Sequence, residues 1–149
     1  MKKIITLSFI TLFSLLYFSC GSNSDNVLHP LINIDVPDSY YFEMMNSDNA
    51  KILDGILKIE NITEADVSGS YTISNVYDKT FPGLSSLGGK FTGQRKKSDN
   101  WLSLNLNPKI ADNNIFVNLT VMKYYLMGSW VQSGMTGVSL RGAFNSYKQ

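Results

Sequence analysis

The sequence contains few of the residues that build catalytic and metal centres. Its 149 residues include one cysteine, one histidine and three glutamates. The only histidine, His29, precedes Pro30. We therefore expect neither a Ser/His/Asp triad nor a multi-histidine metal site. Neither a glycine-rich phosphate loop nor an acidic loop with calcium-ligand spacing is found. We therefore expect no catalytic residues, no metal and no cofactor. A hydrolase built on two distant Asp or Glu residues is the least favoured alternative.

Positive charge is also scarce. The formal net charge of the whole chain is +1, and it falls to about −1 if a signal segment carrying Lys2 and Lys3 is removed. The one basic cluster, Arg95-Lys96-Lys97, is followed by Ser98-Asp99-Asn100 and is interpreted as a solvated hairpin loop. Because phosphate binding requires a basic surface, we expect no nucleic acid partner.

The first twenty residues differ in composition from the rest. Lys2 and Lys3 form a short positive start, and Ile4 to Phe18 is a mostly apolar run without a charge. This layout is typical of a signal peptide. A helix through the run would be only about 22 Å long, short of the roughly 30 Å hydrocarbon core of a bilayer. We therefore expect removal of the segment rather than a permanent transmembrane helix.

The apolar run ends in Leu15-Leu16-Tyr17-Phe18-Ser19-Cys20-Gly21. This stretch resembles the lipobox of bacterial lipoproteins, in which a small residue precedes the cysteine that becomes the lipidated N-terminus. The resemblance implies export, cleavage before Cys20 and a membrane partner held through several acyl chains, which attach a protein stably. Lipidation would also remove a lone thiol from an oxidising compartment. An ordinary secretory signal with an incidental cysteine is the alternative.

The residues after Cys20 bear on location. In Gram-negative relatives an Asp directly after the cysteine favours the inner membrane, so Gly21 implies the outer membrane. Residues 21–26 are small and polar, which is typical of a flexible tether. Asp25 alone does not decide between a periplasmic and a cell-surface position. We divide the chain into a signal peptide, 1–19, a lipidated cysteine with tether, 20–30, and a single domain, 31–149.

Alternating apolar residues predict strands in that domain. From Trp101 to Asn107 the even-numbered leucines share one face, and the pattern resumes from Ile115 to Val121. Pro108 and a turn at 112–114 separate the two runs, which therefore predict an antiparallel pair. Less regular runs with the same signature are Ile52–Ile62, Gly69–Val76, Gly88–Gln94, Val121–Val131 and Val138–Tyr147.

Two segments allow more than one interpretation. The spacing of Ile52, Ile56 and Ile59 also fits a short helix, but four isoleucines and Gly55 favour a strand. The cluster Tyr40–Met45 is predicted to be the first strand or to seal one end of a barrel, with an exposed docking patch as the alternative. Six to eight strands with turn-rich connections predict an all-β fold, a single small antiparallel β-barrel or β-sandwich.

Four glycines each precede an aromatic residue by two positions. These triplets are Gly69-Ser70-Tyr71, Gly89-Lys90-Phe91, Gly128-Ser129-Trp130 and Gly142-Ala143-Phe144. In a strand the two residues share a face, so a ring can lie beside a position without a side chain, and glycine permits the coiling that a barrel needs. Core aromatics beside structural glycines are the favoured interpretation. The alternative is that some rings line a ligand cavity.

Aromatic residues make up 12% of the chain, and they suit ligand or partner recognition. The hairpin predicted from Tyr125 to Lys148 is similar to small lipocalin-like β-barrel domains of bacterial lipoproteins, from which we carry over no binding residues. We expect a non-catalytic envelope module that binds an envelope protein or, in the lipocalin-like alternative, a small apolar or glycan ligand. The candidate binding residues are Trp101, Trp130, Tyr71, Phe91 and Phe144.

Overall fold

The domain consists of eight strands joined by short connections. The computed structural model describes residues 38–81, 86–110, 112–135 and 137–149. The predicted signal peptide, Cys20 and the predicted tether lie outside these residues. The strands are β1 (Asp38–Asn46), β2 (Lys51–Ile62), β3 (Asp66–Val76), β4 (Gly88–Lys96), β5 (Trp101–Asn105), β6 (Asn114–Val121), β7 (Tyr125–Gly134) and β8 (Gly137–Lys148). A single turn of 3-10 helix, Lys97–Asp99, connects β4 to β5. Within the described ranges no helix is long and apolar enough to span a membrane.

Each strand pairs with the next, and the last strand pairs with the first. All the pairings are antiparallel, and together they form a closed barrel. Closure places Tyr40 opposite Lys148 and Met44 opposite Phe144. The predicted all-β fold is therefore confirmed, and of its two forms the barrel is the correct one.

Most of the predicted strands are confirmed. The two leucine runs pair as β5 and β6, with Leu102 opposite Leu119, and Lys51–Ile62 is a strand rather than a helix. The predicted strand Val121–Val131 is wrong at its start, because β6 ends at Val121 and β7 begins only at Tyr125. The intervening turn contains no Gly, Pro, Asn or Asp, so the sequence carries no turn signal there.

The barrel interior is filled by its own side chains. At its centre the rings of Phe42 and Phe144 stack with centroids 5.2 Å apart and planes 7° from parallel. Leucine, isoleucine and valine side chains from β2, β3, β5, β6 and β7 surround this pair, and those of Leu102, Val117 and Leu126 are fully buried. The alternation predicted from the sequence therefore produces a packed core rather than a hollow barrel.

The four Gly-x-aromatic triplets form two reciprocal pairs across neighbouring strands. In β3 and β4, Gly69 lies opposite Phe91 and Tyr71 lies opposite Gly89. A Cβ atom on Gly69 would lie 2.7 Å from the Phe91 ring. In β7 and β8, Gly128 lies opposite Phe144, and Trp130 opposite Gly142. The triplets are thus structural, and each ring faces a glycine of the partner strand as well as one two residues earlier on its own.

The two ends of the barrel differ in their connections. At the end where Asp38 begins β1, the strands are joined by residues 63–65, 97–100 and 122–124, and the chain also finishes there at Gln149. We call this the tether end. The opposite end, the far end, carries the connections 47–50, 77–87, 106–113 and 135–136, of which the structure describes parts. The two longest connections, 77–87 and 106–113, therefore lie away from the point where the chain enters the barrel.

Candidate functional site

The structure does not bring the five predicted binding residues together. Tyr71, Phe91, Trp130 and Phe144 all point inward and are buried in the core. Trp101 begins β5 at the tether end and is half-buried on the outer side. A single cavity lined by all five rings is therefore not present among the described residues, and their role in binding stays a prediction.

A recess of about 330 Å³ opens at the far end of the barrel. We call it the far-end recess. Its walls come from the β1–β2 turn, the β3–β4 connection and the β7–β8 hairpin, three parts of the chain that are distant in sequence. The lining residues are Asn46, Ser47, Ile52, Asp78, Phe81, Trp130, Leu140 and Arg141. Of the predicted binding residues, only Trp130 belongs to it.

Trp130 borders the far-end recess, although it is only 1% exposed, and is held in place from two sides. Its indole Nε1 donates a hydrogen bond of 2.8 Å to the carbonyl oxygen of Met45. Phe81 meets the indole edge-on, with ring centroids 5.4 Å apart. A Cβ atom on Gly142 would lie 2.8 Å from Nε1, so the missing side chain of this glycine leaves room for the indole. The ring is thus fixed before any ligand arrives.

The rim of the far-end recess carries both signs of charge. The carboxylate of Asp78 accepts hydrogen bonds from the Thr80 hydroxyl at 2.6 Å and the Thr80 amide at 2.9 Å, and these bonds lower the pKa of Asp78. Arg141 has no ion pair within the part of the chain that the structure describes. Arg141 borders the recess, and a guanidinium can pair with a carboxylate or phosphate of a bound molecule.

The β1–β2 turn gives the recess a rigid wall. The side-chain oxygen of Asn46 accepts hydrogen bonds from the amides of Asp48 at 3.0 Å and Ala50 at 2.9 Å. Asn49 adopts a left-handed conformation with φ of 61°, which Asn tolerates better than most residues. Ser47 is thereby held at the mouth of the recess.

A second, smaller depression of about 180 Å³ lies at the same end, between β4 and the β5–β6 connection. The Tyr71 hydroxyl points into this region and donates a long hydrogen bond of 3.5 Å to the side-chain oxygen of Asn107. Burial raises the pKa of Tyr71. Lys90, at the edge, is already paired with Glu60 at 2.9 Å. This depression therefore offers few unengaged polar groups.

The outer wall carries a buried carboxylate that the sequence did not reveal. Asp54 is 1% exposed, and it accepts hydrogen bonds from the hydroxyls of Tyr41 at 2.9 Å and Tyr77 at 2.8 Å, and from the amide of Asn75 at 2.9 Å. Desolvation acts to raise the pKa of Asp54, but the three hydrogen bonds and nearby Lys51 outweigh it and lower the pKa. The pKa of Tyr41 rises to about 12 through burial and its bond to Asp54.

The cluster around Asp54 has a structural role rather than a catalytic one. Both carboxylate oxygens of Asp54 are engaged, and its burial leaves no surface for a substrate. It joins β1, β2 and β3 beside the irregularity between Asp54 and Gly55, where ladder pairing is interrupted. Glu43, opposite Asp54, is engaged by Lys51. Among the described residues no group of three or more His, Cys, Asp or Glu side chains could hold a metal ion.

Comparison of the chain with protein-family models, with curated proteins and with solved structures finds no match. Function is therefore inferred from the surfaces of the barrel itself. The sequence pointed to Trp130 but not to Phe81, Asp78 and Arg141, which line the same recess. Asp78 and Phe81 lie in the β3–β4 connection, and a loop signal in the sequence predicts a connection but not what it covers.

Proposed function

We propose that the protein is an exported bacterial lipoprotein, anchored through lipid on Cys20 to the envelope and, by Gly21, to the outer membrane. Its barrel acts as a non-catalytic module that binds another envelope protein. The far-end recess carries the proposal, because a firmly held indole and Arg141 border it on a barrel whose core is filled. Such a hollow suits an anchoring side chain of a partner.

Exposed apolar residues near the far-end recess support the proposal of a protein partner. Leu140 is 39% exposed and Met135, at the β7–β8 turn, is 87% exposed. Exposed apolar side chains around a pocket are typical of protein contact surfaces. A partner that inserts one apolar side chain beside Trp130 and places a carboxylate near Arg141 would use the features that the recess offers.

A small ligand is the second candidate. The volume of about 330 Å³ lies at the low end of the roughly 300–1,000 Å³ found for ligand pockets. Aromatic, amide and guanidinium groups together are also suited to a glycan or a small apolar ligand. The filled core favours the protein partner, because a lipocalin-like carrier needs an interior cavity and here the ligand could occupy only the mouth.

Photo-crosslinking in intact cells tests the protein partner. A photoreactive amino acid at Leu140 is expected to give a discrete adduct with one envelope protein. The matched control is the same amino acid at Lys58, which is exposed on the outer wall of β2. Absence of an adduct from Leu140, or the same adducts from both positions, would contradict the proposal.

Native mass spectrometry of residues 21–149, repeated after organic extraction, tests the ligand alternative. A mass excess that extraction removes, and that the variant Arg141→Ala lacks, would favour a small ligand in the far-end recess. The anchor is tested separately with Cys20→Ala, which is expected to leave the membrane fraction and to lose the acyl mass at its N-terminus. A variant that stays lipidated or membrane-bound would contradict anchoring through this residue.

A further inference from the structure

A group of exposed apolar residues lies at one corner of the tether end. These residues lie in the β6–β7 turn, near the start of β7 and at the end of β8, and together with Lys123 we call them the corner patch: Met122, Lys123, Tyr124, Tyr125, Met127 and Tyr147. Tyr124 is 55% and Tyr147 49% exposed. Tyr125 and Tyr147 lie opposite each other in the sheet, with ring centroids 6.4 Å apart. This contact joins the start of β7 to the end of β8 within the patch.

Two hydrogen bonds place the corner patch beside the point where the chain enters the barrel. The amide of Lys148 donates to the carbonyl oxygen of Tyr124 at 2.7 Å, and the amide of Gln149 donates to that of Ser39 at 3.0 Å. Ser39 is the second residue of β1. Even fully extended, the residues between Cys20 and Asp38 span at most about 60 Å. An anchor at Cys20 would therefore keep the barrel within this distance of the lipid, and it would be attached to the barrel beside the corner patch.

The charge of the corner patch favours an anionic surface. Residues 122–127 include no acidic side chain, and Lys123 lies over the ring of Tyr124, 5.0 Å from its centroid. Asp38, the acid at the start of β1, is already paired with Lys148. Tyrosine rings prefer the headgroup level of a bilayer, methionine adapts to an irregular apolar surface, and lysine is attracted to anionic headgroups.

We propose that the corner patch docks onto the surface of an anionic phospholipid bilayer and holds the barrel with its far end pointing away from the membrane. This inference rests on the proposed lipid anchor, which supplies the membrane. A second copy of the chain fits the patch less well, because a two-fold contact centred on it would bring two copies of Lys123 together without an acid between them.

Vesicle sedimentation tests the docking without the lipid anchor. Residues 21–149 contain the whole barrel, since it closes between Asp38 and Lys148, and the barrel is therefore expected to fold without Cys20. This protein is expected to partition onto vesicles of phosphatidylethanolamine and phosphatidylglycerol, and less onto vesicles of phosphatidylcholine alone. Replacement of Tyr124, Tyr125 and Met127 by serine should lower the partition coefficient at least about tenfold, because the apolar contact area is lost.

Two further variants sharpen the test. Met135→Ser removes an exposed methionine at the far end and should partition as the unchanged protein does. Lys123→Glu should abolish the preference for anionic vesicles. The double variant Tyr124→Ser, Met127→Ser replaces the triple variant if thermal unfolding shows that the latter has lost its fold.

The proposal would be overturned if the unchanged barrel stays off anionic vesicles, or if the serine variants partition as it does. It would equally be overturned if sedimentation equilibrium shows a dimer that the serine variants dissociate while vesicle binding is unaffected, because the occupant would then be a second copy. Since the tested protein lacks Cys20, a failed docking test would not contradict the proposed lipid anchor. Conversely, a finding that Cys20 is not lipidated in cells would not contradict vesicle binding by the barrel.

Discussion

The two ends of the barrel are built from the same strands but differ in what they present. At the tether end the connections are three or four residues long, and exposed apolar residues lie together at one corner. At the far end two longer connections, 77–87 and 106–113, and two short turns surround recesses, and the exposed apolar side chains include Tyr77 and Leu87 on the first connection and Met135 at the β7–β8 turn. Tight turns leave side chains on an outer surface, whereas long connections can fold over the barrel mouth and enclose a volume.

Under our two proposals, the two ends bind different kinds of partner. An apolar corner with a lysine matches a broad, soft surface such as a bilayer, where contact area and charge matter more than shape. A recess with a fixed indole and a guanidinium matches a defined group that must fit. The predictions below test whether the two ends are as independent as their construction indicates.

The largest effect is expected from Gly142→Ala, which fills the space beside Trp130. The new Cβ atom would lie 1.8 Å from the carbonyl oxygen of Met45, so β1 and β8 must separate. We expect the free energy of unfolding to fall by about 3 kcal/mol or more, measured by urea denaturation. Ser129→Thr also adds one methyl group, on the exposed outer face of β7, and should change it little. Equal stability of the two variants would contradict the packing at Gly142.

Asp54→Asn should have the next largest effect, and the effect should depend on pH. Loss of the charged acceptor for Tyr41, Tyr77 and Asn75 is expected to cost about 1–3 kcal/mol at pH 7. Because folding lowers the pKa of Asp54, its stabilisation is present above the unfolded value of about 4 and is lost as pH falls through the folded pKa. The stability difference between the two proteins should therefore shrink below about pH 4.

Urea denaturation at pH 7 and at pH 3 measures this difference. Asp48→Asn, an exposed residue at the same end, is the control and should change stability little at pH 7. A difference for Asp54→Asn that is the same at both pH values would show that the ionised carboxylate is not what holds β1, β2 and β3 together at this point.

Phe81→Ala should separate binding from stability at the far end. Loss of the edge-on contact with Trp130 is expected to cost about 1–2 kcal/mol, while the crosslink from Leu140 should disappear because one wall of the recess is gone. Leu87→Ala, at an exposed position on the same connection, should preserve the crosslink. Binding to anionic vesicles should be unchanged in both variants. A parallel loss of vesicle binding would contradict the independence of the two ends.

The smallest effect is expected from Glu64→Gln at the tether end. Glu64 forms an exposed ion pair of 3.5 Å with Lys97, and such pairs contribute little in water. The midpoint of thermal unfolding should change by less than about 2 °C, as measured by circular dichroism. A larger decrease would mean that the turns of the tether end depend on their charges rather than on the strands that they join.

Much of the fold could be predicted from the sequence, and the part that failed has a physical cause. Alternation in Leu102, Leu104 and Leu106 located a strand and its buried face, because side chains of a strand point alternately to its two sides. The turn at Met122–Tyr124 was missed because its residues are those of a strand. Buried rings at Tyr71 and Phe144 were expected. Which glycines lie opposite them could not be predicted, because that depends on which strands pair and in what register.

The candidate site was less predictable than the fold. Trp130 stood out by its type, but Phe81 and Arg141 become its neighbours only when the β3–β4 connection and β8 meet at one end of the barrel. Asp54 lies in a run of apolar residues and gave no sign that Tyr41 and Tyr77 would surround it. Residues brought together from distant segments leave no spacing in the sequence to recognise.

The sequence by itself determined that the domain is all-β, where most strands lie and which of their faces is buried, since these follow from local periodicity. It also set the expectation of a lipid anchor at Cys20. Only the tertiary structure decided that β8 pairs with β1, that the core is filled and that a recess opens at the far end. The reason is that alternation fixes the face of a side chain but not its partner strand. Closure depends on twist and register summed over all eight strands.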